Sequence, residues 1–400
     1  MPERAEHGDE SATTTTAATS SSSSAAETPP RGCPLSLVTA QALSAALQSS
    51  APPLLLEACA AAAPAGTAPP DPGCIPGAVL FSLAAIDVDL RDEQLGHPAK
   101  ISGNYSLKPP AELRCALEAA GVEYARPVVV YTQAARAGGL DLAVAARLAW
   151  ALSLAGCQHV ALLAAGLSAW TAEGYATSGA YAPPVGAADF FGGDDGLPFP
   201  LRPEFGAATP EVAAAVARGG GSGGGGGGSG NAYRRVVQLA DVRSWREFSG
   251  GAHDYPFPMP RGRIPTSLWA HWGPSTYVAG DFFSHDSGVL HPLAGTAALW
   301  RDWGLRLGAE HTDTRIVFYC GSGWRSAVAW CLAQLLGHAD CASYDGGIVE
   351  WAWVDERPLE CGAPDAAAAA ARALTTTTAP PSCVHSSPCP RPPQSGTAPA

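Results

Sequence analysis

The cysteine at position 320 stands between a strand-like segment and a helix-like segment, where a thiol can act as a nucleophile. Residues 316–319 form an apolar run of the kind buried in a parallel sheet, and residues 326–336 carry apolar side chains at helical spacing. The loop over residues 320–325 contains two glycines and a serine, so its backbone can direct consecutive N–H groups into one small hollow. At a helix N-terminus, such a hollow favours a thiolate and binds a small anion beside it.

The predicted site consists of the nucleophile and the loop residues that follow it: Cys320, Gly321, Ser322, Gly323, Trp324 and Arg325. The Arg325 guanidinium adds positive charge near the thiol, and Trp324 either lines the pocket mouth or packs elsewhere. The competing interpretation is that Cys320 is a small core residue, because free cysteines are often buried. Core packing requires neither two glycines nor an arginine at this point, so the pattern favours a reactive thiol.

The sequence Tyr-Cys-Gly-Ser-Gly-Trp-Arg at 319–325 is followed by Tyr-Asp-Gly-Gly at 344–347 and Glu-Trp at 350–351. It resembles the active-site segment of rhodaneses, the thiosulfate and mercaptopyruvate sulfurtransferases. Cysteine-dependent phosphatases use a similar loop, but theirs has five residues between the cysteine and the arginine and usually a histidine before the cysteine. Here four residues intervene and Tyr319 precedes the cysteine. The smaller ring suits a sulfane sulfur better than a tetrahedral phosphate, so a phosphatase is the less favoured alternative.

Composition argues against several classes of partner. The 400 residues suffice for two domains plus tails, and the formal net charge of −12 argues against a nucleic-acid partner or an anionic membrane. The 11 cysteines show no regular spacing, so they indicate neither a disulfide framework nor a metal site. No apolar run approaches the roughly 20 residues that span a bilayer. We expect a monomer in a reducing compartment, cytoplasmic unless the chain enters a mitochondrion or plastid, with no metal or organic cofactor.

Strand-like and helix-like segments alternate, which predicts an α/β fold with mostly parallel sheets flanked by helices. The second half of the chain repeats the first. Three pairs of positions match at one constant offset of 181 residues: Gly156 with Gly337, Gly166 with Gly347 and Trp170 with Trp351. Three matches at one offset are improbable by chance. The sequence therefore predicts two rhodanese-like domains.

Thr132 occupies the nucleophile position of the first half, because Tyr131-Thr132 matches Tyr319-Cys320 at an offset of 188 residues. The first half lacks the thiol and the tight loop, so we predict that it is a non-catalytic copy. The alternative, that Thr132 or Gln133 performs a different chemistry, lacks a paired base or a metal cluster. The resemblance implies that the first domain packs on the second and walls the active site.

The predicted organisation has five parts: a disordered segment at 1–32, a non-catalytic rhodanese-like domain at 33–182, an interdomain linker at 183–200, a catalytic rhodanese domain at 201–362 and a disordered tail at 363–400. The Gly/Ser run at 219–230 is predicted to be a flexible loop insertion inside the catalytic domain. Residues 36–47 are predicted to be helical with Thr39 as a cap, and Thr209 is expected to cap the matching helix before Pro210.

Four further residues are candidates for supporting or substrate-binding roles. Asp241 and Arg243 resemble the Asp-x-Arg element of the family, and we predict that they pair to fix a loop. The resemblance places a substrate-binding arginine where this chain has Glu247, so Arg246 either substitutes for it or lies in solvent. Asp345 is expected to support the reactive loop.

The resemblance implies that Cys320 attacks the outer sulfur of thiosulfate, releases sulfite and keeps a persulfide, which the loop N–H groups stabilise. A small or protein thiol, a thioredoxin-like protein or cyanide would then accept the sulfur. The alternatives are a 3-mercaptopyruvate sulfurtransferase and a persulfide carrier or scaffold without turnover. Thiosulfate is preferred because mercaptopyruvate enzymes use a histidine where this chain has Cys74 and an arginine where it has Glu247, whose carboxylate would repel that substrate.

Overall fold

The computed structural model describes residues 34–60, 64, 66–89, 104–133, 140–163, 165–186, 199–219, 235–251, 259–270 and 293–364. The predicted N-terminal segment, the Gly/Ser run after Gly219 and the tail after residue 364 lie outside these ranges, so the predictions about them stay predictions. Across the described ranges, none of the helices is long and apolar enough to cross a membrane.

The first half of the chain forms a five-stranded parallel sheet with flanking helices. Among the residues that the structure describes, the first half contains seven strands, five of which form this sheet: β1 (Leu35–Val38), β2 (Leu54–Cys59), β3 (Val79–Ser82), β4 (Asp87–Asp89), β5 (Asn104–Leu107), β6 (Val128–Tyr131) and β7 (Val160–Leu163). Its helices are α1 (Ala40–Leu47), α2 (Pro110–Ala119), α3 (Leu140–Ala155) and α4 (Gly166–Ala172). The sheet order is β1-β7-β6-β2-β3, and β4 pairs with β5 in a separate antiparallel ribbon. The central strand β6 is wholly buried, as expected for a parallel strand covered on both faces.

The second half repeats this sheet. Its strands are β8 (Gly206–Ala207), β9 (Val236–Asp241), β10 (Leu268–Trp269), β11 (Thr314–Tyr319) and β12 (Cys341–Tyr344). Its helices are α5 (Thr209–Ala217), α6 (Trp245–Phe248), α7 (Leu293–Asp302), α8 (Trp324–Leu335) and α9 (Gly347–Val349). The order β8-β12-β11-β9-β10 is that of the first sheet strand for strand, and all pairs are parallel. The predicted α/β fold is therefore confirmed.

Matched positions of the two halves make the same backbone contacts. In the first half the Leu167 N–H donates to the Thr132 carbonyl at 2.9 Å, and in the second half the Ile348 N–H donates to the Cys320 carbonyl at 3.0 Å. Both contacts join the end of a central strand to the turn that follows the next strand in the sheet. The match of Thr132 to Cys320 read from the sequence is thus also a match in space.

The first predicted helix begins later than expected. Residues 35–38 form β1, which pairs with β7, and only Ala40–Leu47 is helical. The segment Leu-Ser-Leu-Val forms a strand because its backbone groups pair with β7. Four residues are too few for their periodicity to distinguish such a strand from a helical turn. Thr39 caps the helix as predicted, because its hydroxyl accepts from the Ala42 N–H at 3.1 Å.

The second predicted cap is wrong by one residue. Thr209 is already the first residue of α5, and the cap is Ala208, whose side chain makes no capping hydrogen bond. The Thr209 hydroxyl instead donates to the Glu350 carboxylate and lies 2.8 Å from the Tyr344 hydroxyl. The half-buried Glu350 carboxylate is a charged acceptor and forms a stronger hydrogen bond than a neutral one, so the hydroxyl turns inward and does not cap the helix.

The two halves pack through α3 and α8. These helices share one hydrophobic core that includes Leu148 and Ala151 of α3 and Val328 and Leu332 of α8. This core is continuous with both sheets, so the reactive loop at the start of α8 lies against the first half of the chain.

The cysteines depart in one place from the prediction of a reducing compartment. Seven of the described cysteines are free thiols, and Cys320 is one of them. Cys361 is disulfide-bonded. Within the described ranges, this one bonded cysteine among seven free thiols does not amount to a disulfide framework.

Candidate active site

Cys320 lies directly after the central strand β11 and has only 1 % of its surface exposed. Residues 321–323 bend, and Gly323 caps α8 with a φ of +86°, a conformation that favours glycine. The first N–H groups of a helix have no acceptor within the helix, so a helix N-terminus can bind an anion. The thiol therefore lies where an open α/β sheet presents its functional groups, at the carboxyl end of a strand.

The Ser326 hydroxyl connects the thiol to the surrounding fold. It lies 3.9 Å from the Cys320 sulfur, donates to the Gly323 carbonyl at 2.9 Å and lies 2.8 Å from the Ser343 hydroxyl of β12. The sequence analysis missed Ser326. A hydroxyl in the first turn of a helix, directly after the predicted loop, was the signal available.

Arg325, predicted to hold the loop and to add positive charge to the anion pocket, pairs with a buried carboxylate. Its Nη1 and Nη2 donate to the two carboxylate oxygens of Glu247 at 3.1 and 3.0 Å. Both residues are buried. Burial alone would raise the pKa of Glu247, but the charge and hydrogen bonds of Arg325, with smaller effects from Arg243 and the Ser244 N–H, together outweigh burial and lower that pKa below its ordinary value. Glu247 is therefore an ionised partner of the loop, and not an open carboxylate that faces the substrate.

A capping box aims Glu247 at the loop. The Ser244 hydroxyl accepts from the Glu247 N–H at 3.3 Å, and the Glu247 carboxylate accepts from the Ser244 N–H at 3.0 Å. Arg246 next to it is exposed. The structure thus places Glu247 and not Arg246 against the reactive loop.

Asp241 and Arg243 come together at the end of β9. Arg243 donates to both Asp241 oxygens, at 2.9 and 2.6 Å, and to the Gly262 carbonyl at 2.6 Å. The two side chains are fully buried. This arrangement ties the strand end to the segment around Gly262, which is the loop-fixing role expected for the pair.

Trp324 and Asp345 contact residues of the first half. The Trp324 indole donates to Asp87 at 3.0 Å, and Asp345 accepts from Arg147 and from the Leu107 N–H, the latter at 2.7 Å. The sequence analysis missed Asp87 and Arg147. An arginine in the middle of the apolar segment Ala-Val-Ala-Ala-Arg-Leu-Ala-Trp was a readable signal, because a buried charge requires a partner.

Replacing Gly323 with alanine is expected to distort the loop. A methyl group there would clash with the Asp345 carboxylate and lie 2.7 Å from the Asp345 carbonyl, in a backbone conformation that alanine disfavours. We expect a stability loss of about 1–3 kcal/mol and a large loss of activity. The control is Gly362→Ala, where φ is +82° but the space is open. Equal melting temperatures and turnover numbers for the two variants would show that contact with Asp345 does not shape the loop.

Comparisons with known proteins agree with this geometry. Residues 231–352 match the family model described as a rhodanese-like domain. The putative thiosulfate sulfurtransferase SseB of Mycobacterium tuberculosis (strain ATCC 25618 / H37Rv) is 28% identical over 328 residues, covering 82% of this chain and 97% of SseB. Thiosulfate sulfurtransferase YnjE of Escherichia coli (strain K12) is 27% identical over 258 residues, covering 64% of this chain. That alignment spans about half of YnjE, 52% of its length.

Solved structures share the fold. Wild-type EanB superposes with a TM-score of 0.63 and 25% identity, covering 82% of this chain and 69% of that one. The crystal structure of YnjE superposes with a TM-score of 0.62 over 83% of this chain and 70% of that one, and its 22% identity supports the fold alone. Residues 231–352 therefore match a rhodanese-like domain, and the chain is similar to proteins named thiosulfate sulfurtransferases.

Proposed function

We propose that this protein is a sulfurtransferase that moves the outer sulfur of thiosulfate to a thiophilic acceptor through a persulfide on Cys320. The placement of Cys320 carries the proposal. Its thiol lies at the carboxyl end of the central strand and at the N-terminus of α8, in a loop of the length found in rhodaneses. The names of the relatives at 27% and 28% identity support the same reaction.

The proposed reaction has two displacement steps. In the first, the Cys320 thiolate attacks the outer sulfur of thiosulfate, the sulfur–sulfur bond breaks, and sulfite leaves with the electron pair. In the second, cyanide or a thiolate attacks the terminal sulfur of the persulfide and regenerates the Cys320 thiolate. No external oxidant or reductant is needed, because one sulfur atom passes between two nucleophiles.

The anion is expected to be held mainly by peptide dipoles. Arg325 shares its charge with Glu247, and Arg243 shares its charge with Asp241. We expect backbone N–H groups of the loop and of the first turn of α8 to donate to the anion, together with the Ser322 hydroxyl in the same loop. Such a site suits a compact anion. Arg325 serves it by fixing the loop from the side of α6.

Thiosulfate remains the proposed sulfur donor, but one of the two arguments drawn from the sequence changes. The repulsion expected from Glu247 does not apply, because Arg325 neutralises that carboxylate. Cys74, at the position of the family histidine, is buried in the first half with its sulfur 3.5 and 3.4 Å from the carbonyl oxygens of Ser178 and Ala180. Neither position 74 nor position 247 therefore supplies the basic group that mercaptopyruvate enzymes use for the substrate carboxylate.

Steady-state kinetics with thiosulfate and cyanide test the proposal. We expect continuous release of sulfite and thiocyanate, and a higher kcat/KM for thiosulfate than for 3-mercaptopyruvate with the same acceptor. A preference of tenfold or more for mercaptopyruvate, about 1.4 kcal/mol in transition-state binding, would refute the donor assignment. Formation of one persulfide without further turnover would instead identify a sulfur carrier.

A further inference from the structure

The ribbon β4–β5 of the first half reaches the reactive loop of the second half. It stands outside the five-stranded sheet, and the described residues of the second half contain no counterpart of it. Asp87 begins β4 and accepts the indole N–H of Trp324, while Leu107 ends β5 and donates to Asp345. This ribbon therefore meets both the loop residue Trp324 and the aspartate behind the loop.

Arg147 of α3 joins these contacts into one cluster. Its guanidinium is fully buried and donates to Asp87 at 2.9 and 3.2 Å and to Asp345. A methyl group added to Gly323 would lie 2.9 Å from Arg147 Nη1, so the guanidinium is also close to the loop backbone. From the first half of the chain, the cluster thus binds Trp324 by a hydrogen bond and lies beside Gly323, the residue before it.

We infer that Asp87 and Arg147 are positioning residues that keep the Cys320 loop closed, so that the first domain controls the reactivity of the catalytic thiol. Neither residue touches the sulfur. They act through Gly323 and Trp324, which follow the thiol by three and four residues. This inference rests on the proposed sulfurtransferase function and adds a regulatory role for the domain that lacks a nucleophile.

The cluster also makes the loop sensitive to pH. It sets two carboxylates, Asp87 and Asp345, against the single guanidinium of Arg147, with the Trp324 indole as a further donor. Burial raises the pKa of Asp87 to about 6, because desolvation outweighs the attraction of Arg147. Above that pH the carboxylate is ionised and holds Arg147 and Trp324 most strongly. Below it the proton weakens both contacts.

The test measures access to the thiol and sulfur transfer in Asp87→Asn. A loosened loop should expose Cys320 while it misplaces the N–H donors, so iodoacetamide should alkylate Cys320 at least about threefold faster while kcat/KM for thiosulfate falls at least about tenfold. Tryptic peptides separate the outcomes, because Cys320 lies in 316–325 and the buried Cys331 and Cys341 lie in the next peptide, which begins at Ser326. Faster alkylation of both peptides would mean general unfolding and would overturn the inference. The control Glu118→Gln removes the charge of a half-buried i,i+4 ion pair with Arg114 in α2 and should change neither quantity.

Two further measurements keep the inference falsifiable. Trp324→Phe keeps an aromatic ring and removes the donor to Asp87, so it should reproduce the Asp87→Asn effect, and the double variant should add little to it. The wild-type to Asp87→Asn ratio of kcat/KM should be largest above pH 7 and approach one below pH 5. Independent, additive effects or a ratio that does not vary with pH would overturn the inference. Alkylation does not need sulfur transfer, so it still tests the loop if thiosulfate proves not to be a substrate.

Discussion

Replacing Cys320 with serine is expected to lower kcat/KM for thiosulfate by at least about a thousandfold, as removal of a covalent nucleophile does in other enzymes. A serine hydroxyl is far less nucleophilic than a thiolate toward sulfur and cannot form a persulfide. The fold should change little, because the two side chains differ by one atom and the site already contains the Ser326 hydroxyl 3.9 Å away. Sulfite release under steady-state conditions measures the effect.

Mass spectrometry tests the same assignment by detecting the sulfur atom on Cys320. After treatment with thiosulfate, the wild-type peptide 316–325 should gain about 32 Da, one sulfur atom, and the serine variant should gain nothing. The matched control is Cys341→Ser, which alters a thiol of equal burial on the neighbouring strand β12 and should retain turnover. Retained turnover in the Cys320 variant, or a sulfur adduct on another peptide, would end the assignment of the nucleophile.

The features that the sequence predicted correctly are local in the chain. The strand, loop and helix around Cys320 lie within about twenty consecutive residues, so periodicity and glycine content were enough to place the thiol. The repeat was readable because its Gly and Trp positions keep one constant spacing. The local predictions that were wrong are β1, where four residues are too few to separate a strand from a helical turn, and the cap of α5, which lies one residue before Thr209.

The contacts that the sequence did not predict join distant residues. Glu247 pairs with Arg325 across 78 positions, and Asp87 accepts from Trp324 across 237. The local sequence around a carboxylate does not identify its partner. At position 247 the sequence therefore shows only that the family arginine is absent, and it does not predict the ion pair with Arg325. Its capping box with Ser244 was readable, and it would have indicated that the side chain is fixed and not free in solvent.

Replacing Arg325 with methionine is expected to produce the largest loss of stability among the substitutions proposed for the second half of the chain. Glu247 would then remain buried without its guanidinium partner, and breaking such a pair costs about 3–5 kcal/mol. The double variant Arg325→Met/Glu247→Met removes both charges and should recover most of the free energy of unfolding without recovering activity, because the loop loses its support from α6. The control Arg306→Met breaks an exposed pair with Asp313 and should change stability little.

The pH dependence of the free energy of unfolding distinguishes the loss of the Arg325–Glu247 charge pair from a simple packing defect. In the wild type the pKa of Glu247 is lowered, so its contribution to stability is present above the unfolded-state pKa and is lost as the pH falls through the folded-state value. Without Arg325, burial dominates and raises that pKa, so the folded variant binds a proton more tightly than the unfolded chain does. The free energy of unfolding that Arg325→Met lacks relative to the wild type should therefore be smaller at pH 4.5 than at pH 7.5. In the double variant, Glu247 is absent and should contribute nothing to the pH dependence of stability. Urea unfolding at the two pH values measures the difference, and a deficit that stays constant would mean that Arg325 acts through packing and not through the charge of Glu247.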